Sequence, residues 1–402
     1  MKILLINVVC KMGSTGKIVY DLYTELNKNG HEAAICYSRG SKIKERNIFK
    51  FSSNWEVYLH AILTRITGLH GCYSYFATKK LIKFIKKFQP DVINLHQFYA
   101  YSINEITLFR HLKDNNIKTV FTLHSEQHYT GKCGNSLDCD RWMRECGNCP
   151  YKKKWPKSCF FDFTKHMFLR KKEAMIGFEN IIIVTPSQWL ANKVKLSFLK
   201  DKKIKVVPNG IDVDAFCHSN VNKLRNSLKI HKDEKLLLFV SSDGLLDNYK
   251  GGRYIIELAR KIENEDIRII VVGKKANITD LPMNIIQIGE IYDKDLLAQY
   301  YSMADIMVIT SKCENFPTVC LESLACGTPI VGFAEGGTAE TAPGYYGLFV
   351  RYGDTQMLRR KILNYFNGDI KLKSKKECED FAKQKYSKEK MFKEYMRLYQ
   401  SS

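Results

Sequence analysis

The sequence predicts an α/β protein built from two doubly wound parallel-sheet domains that face each other across a cleft. Three observations carry this. The chain has 402 residues, 45% of them hydrophobic, which is too long for one ordinary core and suits two domains of about 150–200 residues each. Ten short runs rich in β-branched and aliphatic residues recur along it, at 3–9, 32–37, 91–95, 119–123 and 181–185, then at 236–241, 267–272, 285–288, 306–310 and 329–333. They are continuous rather than alternating, as strands buried on both faces are. Amphipathic stretches separate them, and strand–helix–strand repetition produces parallel sheets with right-handed crossovers.

The two sets of runs meet at 206–212, where Pro208, Asn209 and Gly210 signal a turn. This divides the chain into a first domain over 1–205, with a cysteine-rich insertion at 125–172, and a second over 206–385. The remainder, 386–402, reads as a helix with apolar Met391, Phe392, Tyr395, Met396 and Tyr399, which is expected to cross back to the first domain. No internal repeat or low-complexity tract is present. The apolar run at the N-terminus is too short for an export signal, and no stretch approaches the roughly 20 apolar residues of a spanning helix. A cytoplasmic protein is expected, at most peripheral on the inner face of the plasma membrane. Thirteen cysteines, an odd number in a large chain, then read as reduced thiols rather than a disulfide scaffold.

The net charge of +21 is unevenly distributed. Residues 1–200 hold 32 lysines and arginines against 15 acids, net +17, while residues 201–402 hold 31 against 27, net +4. A basic first half implies an anionic partner. The segment 151–172 interleaves lysines with Trp155, Phe160 and Phe161, which suits an anionic lipid surface. The basic stretch 79–88 reads differently: Leu81, Ile82, Ile85 and Phe88 pack on the sheet and its lysines are solvated.

Ligands of doubly wound sheets bind where strands end and helices begin. The most informative such junction runs from Ser311 to Val331. It follows the run 306–310, carries Glu314 before a helix and Glu322 near its middle, and has Pro317 at the helix start and Gly327 and Pro329 past its end. Unpaired N–H groups around 316–319 form a ready diphosphate site. Two carboxylates suit the paired hydroxyls of a ribose and a hexose. After the run 236–241, Lys250-Gly251-Gly252 places a point charge where backbone can approach closely.

The Glu314-x7-Glu322 pair, followed by Gly327-Thr328-Pro329-Ile330-Val331 and by Gly336-Gly337-Thr338-Ala339-Glu340, resembles the signature of family-4 retaining glycosyltransferases. The likeness extends over nearly the whole chain, from Gly13-Ser14-Thr15-Gly16 to the terminal helix, and is nearest to the exopolysaccharide and colanic-acid subgroup. It implies the GT-B arrangement of two Rossmann-like domains, with Glu322 on the nucleotide ribose and Glu314 beside the transferred sugar. Asn315, Phe316, Pro317 and Thr318 supply the helix start, Lys250 the diphosphate cation, and Gly289 the loop beside the nucleobase. The family adds an arginine five positions before the lysine. Leu245 stands there, so that cation is either missing or replaced by Arg253. Gly16 belongs to the loop that in the family touches donor phosphates or acceptor. His124 matches the family's catalytic histidine, and the Ser125 after it replaces the subgroup's usual aspartate. His96, also at a strand end, reads as structural.

Cys133-x5-Cys139-x6-Cys146-x2-Cys149 leaves two readings open: a structural zinc held by four thiolates, or free or disulfide-bonded thiols. Catalysis itself is expected to need no cofactor. The resemblance implies transfer, with retention, from a UDP- or GDP-sugar to a saccharide or lipid-linked acceptor in surface polysaccharide synthesis. The rivals are a nucleotide-sugar epimerase or hydrolase of the same fold, which needs no acceptor, and a basic nucleic-acid-binding protein with a zinc-like cysteine loop. The latter leaves the paired glutamates unexplained, and no nucleic-acid partner is expected.

Overall fold

A computed structural model describes residues 1–98 and 101–401. They form two compact units, Met1–Pro208 together with Met391–Ser402, and Asn209–Lys390.

The first unit is a seven-stranded sheet of β1 (Lys2–Asn7), β2 (Glu32–Tyr37), β3 (Ile48–Lys50), β4 (Val92–Leu95), β5 (Thr119–Thr122), β6 (Ile181–Thr185) and β7 (Lys203–Val206). All pairs are parallel, in the order β3-β2-β1-β4-β5-β6-β7. Side chains alternate between two cores. Ile3 and Leu5 of β1 join Val19, Leu22 and Leu26 of α1 (Gly13–Lys28) on one face. The C-terminal helix Lys388–Gln400 packs into that core through Met391, Phe392, Tyr395, Met396 and Tyr399. Leu4 and Ile6 face the other core, where α3 (Tyr75–Phe88) contributes Leu81, Ile85 and Phe88, as the spacing in 79–88 predicts. Helix α2 (Asn54–Thr67) is anchored more thinly: its Val57 and Ala61 meet Tyr101 in a small separate cluster.

The second unit is a six-stranded parallel sheet of β8 (Lys235–Val240), β9 (Ile267–Val272), β10 (Ile285–Gly289), β11 (Ile306–Ile309), β12 (Ile330–Phe333) and β13 (Gly347–Val350), ordered β10-β9-β8-β11-β12-β13. Each of the ten runs picked out in the sequence contains a strand. The three additional strands, β3, β7 and β13, all lie at sheet edges. An edge strand needs no continuous apolar run: none of the four residues of β7 is fully buried.

The chain divides between Pro208 and Asn209, inside the turn at 206–212 and three residues after the 205/206 bound. Lys203–Val206 is still a strand of the first sheet. Tyr386 ends the helix Lys375–Tyr386 and is buried in the second unit's core beside Phe316, so the terminal segment joins the first unit at Met391 rather than at 386. Among the described residues no helix is long and apolar enough to cross a membrane.

Candidate functional site

Because the second sheet is parallel, β8, β10, β11 and β12 end on one edge, and the residues singled out in the sequence follow them. Lys250 and Glu314 meet there: Lys250 Nζ is ion-paired with Glu314 Oε1. Burial alone would lower the Lys250 pKa, but the Glu314 carboxylate more than offsets it and holds the ammonium above its ordinary value. The backbone fixes both partners. Asp247 Oδ1 accepts from the N–H groups of Tyr249 (3.0 Å) and Lys250 (2.9 Å), and its Oδ2 accepts from Ser241 Oγ (3.0 Å). Gly251, at φ +82°, lies so close to β11 that a Cβ would stand 2.1 Å from Thr310 O, and Thr310 Oγ1 donates to Lys250 O at 3.0 Å. The Glu314 loop is held in turn by Gly336 and Gly337. Gly337 N donates to Glu314 O at 2.8 Å, and a Cβ on Gly336 would stand 1.9 Å from that same oxygen.

The helix Thr318–Ala325 opens behind Pro317 with no side-chain cap, which leaves its first N–H groups without side-chain acceptors. Asn315 and Thr318 are half-buried beside that end. Glu322, 6% exposed, accepts from Tyr301 Oη at 3.0 Å. Phe316 keeps its side chain away from the helix start. Its ring lies in the core against Tyr386, 5.7 Å between centroids, and its carbonyl accepts from Asn209 Nδ2 at 2.9 Å, so what it offers a ligand is backbone. Leu245 is buried in the core and has no polar role. Arg253 donates to Tyr254 Oη at 2.7 Å and stacks over the same ring. Gly289 ends β10 at φ +106° and accepts from Gly273 N at 2.9 Å.

In the first unit, His124 follows β5 and lies against His96 with rings stacked and His96 Nδ1 3.1 Å from His124 Nε2. The hydrogen bonds behind His96 settle which nitrogen carries each proton. Asn94 Nδ2 donates to Val120 O (2.9 Å) and Thr122 Oγ1 (3.2 Å), so Asn94 Oδ1 is the acceptor for Tyr399 Oη (2.6 Å) and His96 Nε2 (3.1 Å). His96 is neutral, since burial drives its pKa well down. With its proton on Nε2, its Nδ1 accepts from His124 Nε2. His124 is pushed down to about 4 by burial and then by His128, so it too is neutral and its Nδ1 is an acceptor. Gly16 has a packing role in this unit: a Cβ there would press on Val9 and on Lys11 N at 3.1–3.4 Å, and its carbonyl accepts from Lys11 N at 3.1 Å.

Two family models match the chain, "Glycosyltransferase Family 4" over residues 15–215 and "Glycosyl transferases group 1" over residues 220–388. The chain belongs to glycosyltransferase family 4. An uncharacterized glycosyltransferase of Methanocaldococcus jannaschii is 31% identical over 184 residues, a match that spans 42% of this chain and 46% of that one. A putative colanic acid biosynthesis glycosyl transferase, WcaC of Escherichia coli K12, is 22% identical over the full length of both chains. The fold is that of solved GT-B structures such as Anabaena HepE in complex with UDP-glucose, with a TM-score of 0.66, 16% identity, and 99% and 98% of the two chains covered.

The cysteine loop of the glycosyltransferase is compact. Cys133, Cys139, Cys146 and Cys149 line one cavity of about 20 Å³ together with Lys132, Arg141 and Trp142, and all four are free thiols. Cys133 is hydrogen-bonded to Cys149; that bond, then burial, raises the Cys133 pKa, and the same bond lowers that of Cys149. Gly131 N donates to Cys146 Sγ at 3.2 Å. Yet among the described residues no three His, Cys, Asp or Glu side chains are placed so that they could hold one metal ion. The four thiols thus share one cavity with a lysine, an arginine and a tryptophan.

The sequence did not single out Asp247, Tyr301, Asn94 or Tyr399 for the site. Asp247 had a signal, an acid three residues before the lysine in a glycine-rich turn. The others act through contacts far apart in the chain. The Asn94 relay carries a consequence of its own. Tyr399→Phe is expected to lower kcat about tenfold with the donor KM unchanged, because the group that orients His96 loses one of its two donors. Steady-state kinetics check this, and a kcat within twofold of wild type removes Tyr399 from the orienting role.

Proposed function

We propose that this glycosyltransferase moves a hexosyl group, with retention of anomeric configuration, from a UDP- or GDP-sugar to a saccharide or lipid-linked acceptor in surface polysaccharide synthesis. The observation that carries this reading is the Lys250–Glu314 pair at the C-terminal edge of the second sheet, beside an uncapped helix start that leads to Glu322. A diphosphate at that helix start takes the Lys250 ammonium as its counter-charge and releases the Glu314 carboxylate to accept from sugar hydroxyls. Charge developing on the leaving group is then stabilised by Lys250 and by helix N–H groups, and no step is assigned to a divalent ion. Glu322 accepts from the ribose hydroxyls. His124, neutral and with Nδ1 as an acceptor, holds a hydroxyl of the transferred sugar. Attack from the face that the leaving group departs accounts for retention. The colanic acid relative and the UDP-glucose complex of the structural neighbour support the acceptor class and the donor class respectively.

A panel of nucleotide sugars, read by thermal stabilisation and slow donor hydrolysis, tests the reading. One UDP- or GDP-sugar is expected to raise the melting temperature, and Glu322→Gln is expected to weaken its binding about tenfold, the loss of a charged hydrogen bond to ribose. If no nucleotide sugar stabilises the protein, the donor assignment fails.

A further inference from the structure

Helix α2 is apolar on both faces. Val57, His60, Ala61 and Thr64 are buried beneath it, while on the outside Trp55, Tyr58, Leu59, Ile62 and Ile66 are 44–70% exposed. Their spacing, i, i+3, i+4, i+7 and i+11, aligns them as one stripe along the helix. A surface helix in water normally carries charge on such a face. This stripe also has neighbours of its own kind. The start of α3 is tied to α2 by Ala77 N donating to Glu56 Oε1 at 2.9 Å and by His60 Nδ1 lying 2.7 Å from Ser74 Oγ, and it exposes Tyr75 and Phe76. At the other end of α2, Cys159 N donates to Arg65 O at 2.7 Å. Gly68 sits so close to that loop that a Cβ would stand 3.1 Å from Phe161 O. The loop adds exposed Phe160 and Phe161. Three separate segments therefore bring large apolar side chains to the solvent around one helix.

The charges in these segments are of one sign. Across residues 51–90 the cations Arg65, Lys79, Lys80, Lys83, Lys86 and Lys87 are all exposed, and the single acid, Glu56, is buried. The Lys79 ammonium lies 4.5 Å over the Tyr75 ring. The loop carries exposed Lys153, Lys154 and Lys157. Aromatic and aliphatic side chains with a cationic surround match the interface of an anionic bilayer: rings and branched chains enter the headgroup boundary while lysines meet the phosphates. A second copy of this chain is a poorer match, since a two-fold contact sets each lysine cluster against its own like.

We propose that the outer face of α2, with the start of α3 and the loop around 155–161, is a docking surface for an anionic lipid bilayer. It extends the expectation for residues 151–172 to a helix that the sequence reading passed over, and it does not depend on the donor assignment. The test is flotation of the full-length protein with vesicles of phosphatidylcholine alone or of equal parts phosphatidylcholine and phosphatidylglycerol. Wild type is expected to float with the anionic vesicles, at least about tenfold more strongly than with neutral ones, and less so as salt rises. Tyr58→Ser with Ile62→Ser, and separately Lys79→Glu with Lys80→Glu, are each expected to weaken that binding about tenfold or more. All four side chains are exposed, so the melting temperature and its rise with nucleotide sugar should stay as in wild type. Failure of wild type to float with anionic vesicles overturns the proposal. So does wild-type binding by both variants, or a wild-type dimer in sedimentation that the Tyr58 and Ile62 changes dissociate.

Discussion

Lys250→Ala is expected to lower kcat for sugar transfer about 10²- to 10³-fold and to leave the fold intact, the size of effect seen when one preorganised charge is removed from a leaving group. The expectation follows from how the lysine is held. Its loop is pinned by Asp247 and packed onto β11 through Gly251 and Thr310, so the ammonium is positioned before any ligand arrives and loses little freedom in the reaction. Glu314 is its partner within the protein, and Glu314→Gln is expected to reduce transfer strongly as well, by replacing a charged acceptor for sugar hydroxyls with a neutral amide. The pair is part-exposed, so neither change should move the melting temperature by more than a few degrees. Single-turnover kinetics with a saturating donor read the effect on chemistry directly. Turnover like wild type in either variant takes that residue out of the site.

Acid should unfold the first unit well before carboxylates titrate. Beneath α2 lies a buried cluster in which burial pushes His60 down to about 4 and His70 down to about 3. His124 is lowered to about 4 and His96 further. An unfolded chain protonates these groups from about pH 6.5 downward, whereas the folded unit resists until about pH 4 or below. Their stabilisation is therefore fully present above pH 6.5 and is lost as pH falls from there toward 4, roughly 3 kcal/mol for a histidine displaced from 6.5 to 4. The contributions are not additive, because His60 and His70 both interact with Glu105. Glu105 acts in a lower window. Burial would raise its pKa, but Lys171 and then His128 outweigh burial and bring it to about 2, so its share is lost only below about pH 4.5. Tryptophan fluorescence gives a clean readout, since Trp55, Trp142, Trp155 and Trp189 all lie in the first unit. Urea midpoints are expected to fall steadily between pH 6.5 and 4.5. A flat profile across that range means that the folded protein takes up protons as the unfolded chain does, and the lowered pKa values assigned to these histidines, His124 among them, then fail.

Much of this molecule could be read from residue order alone. Ten strands, nine of them central and β10 at an edge, announce themselves because a strand covered on both faces must be apolar throughout, and the donor-side loops announce themselves because glycines, a proline and charged residues occur at fixed offsets within single segments. That local information was enough to recognise two parallel-sheet units and the family. Local information was silent wherever a residue's role depends on a partner far along the chain. The edge strands β3 and β7 are short and each carry lysine, and β13 is only four residues long, since a strand with one neighbour need not be covered throughout. Phe316 sits in the segment proposed to bind the donor, yet only the arrival of Tyr386 shows that its ring belongs to the core. Nothing near Asn94 indicates that Tyr399, 305 positions away, donates to it and so selects the tautomers of His96 and His124. The stripe on α2 went unread in the sequence, since apolar spacing records that a face avoids water and not what covers it. Composition and short-range pattern determined the fold class, the family and the residues of the donor loops. Side-chain partners, proton positions and the uncovered apolar face were decided only when the chain closed on itself, because each is a property of a contact and not of either residue that makes it.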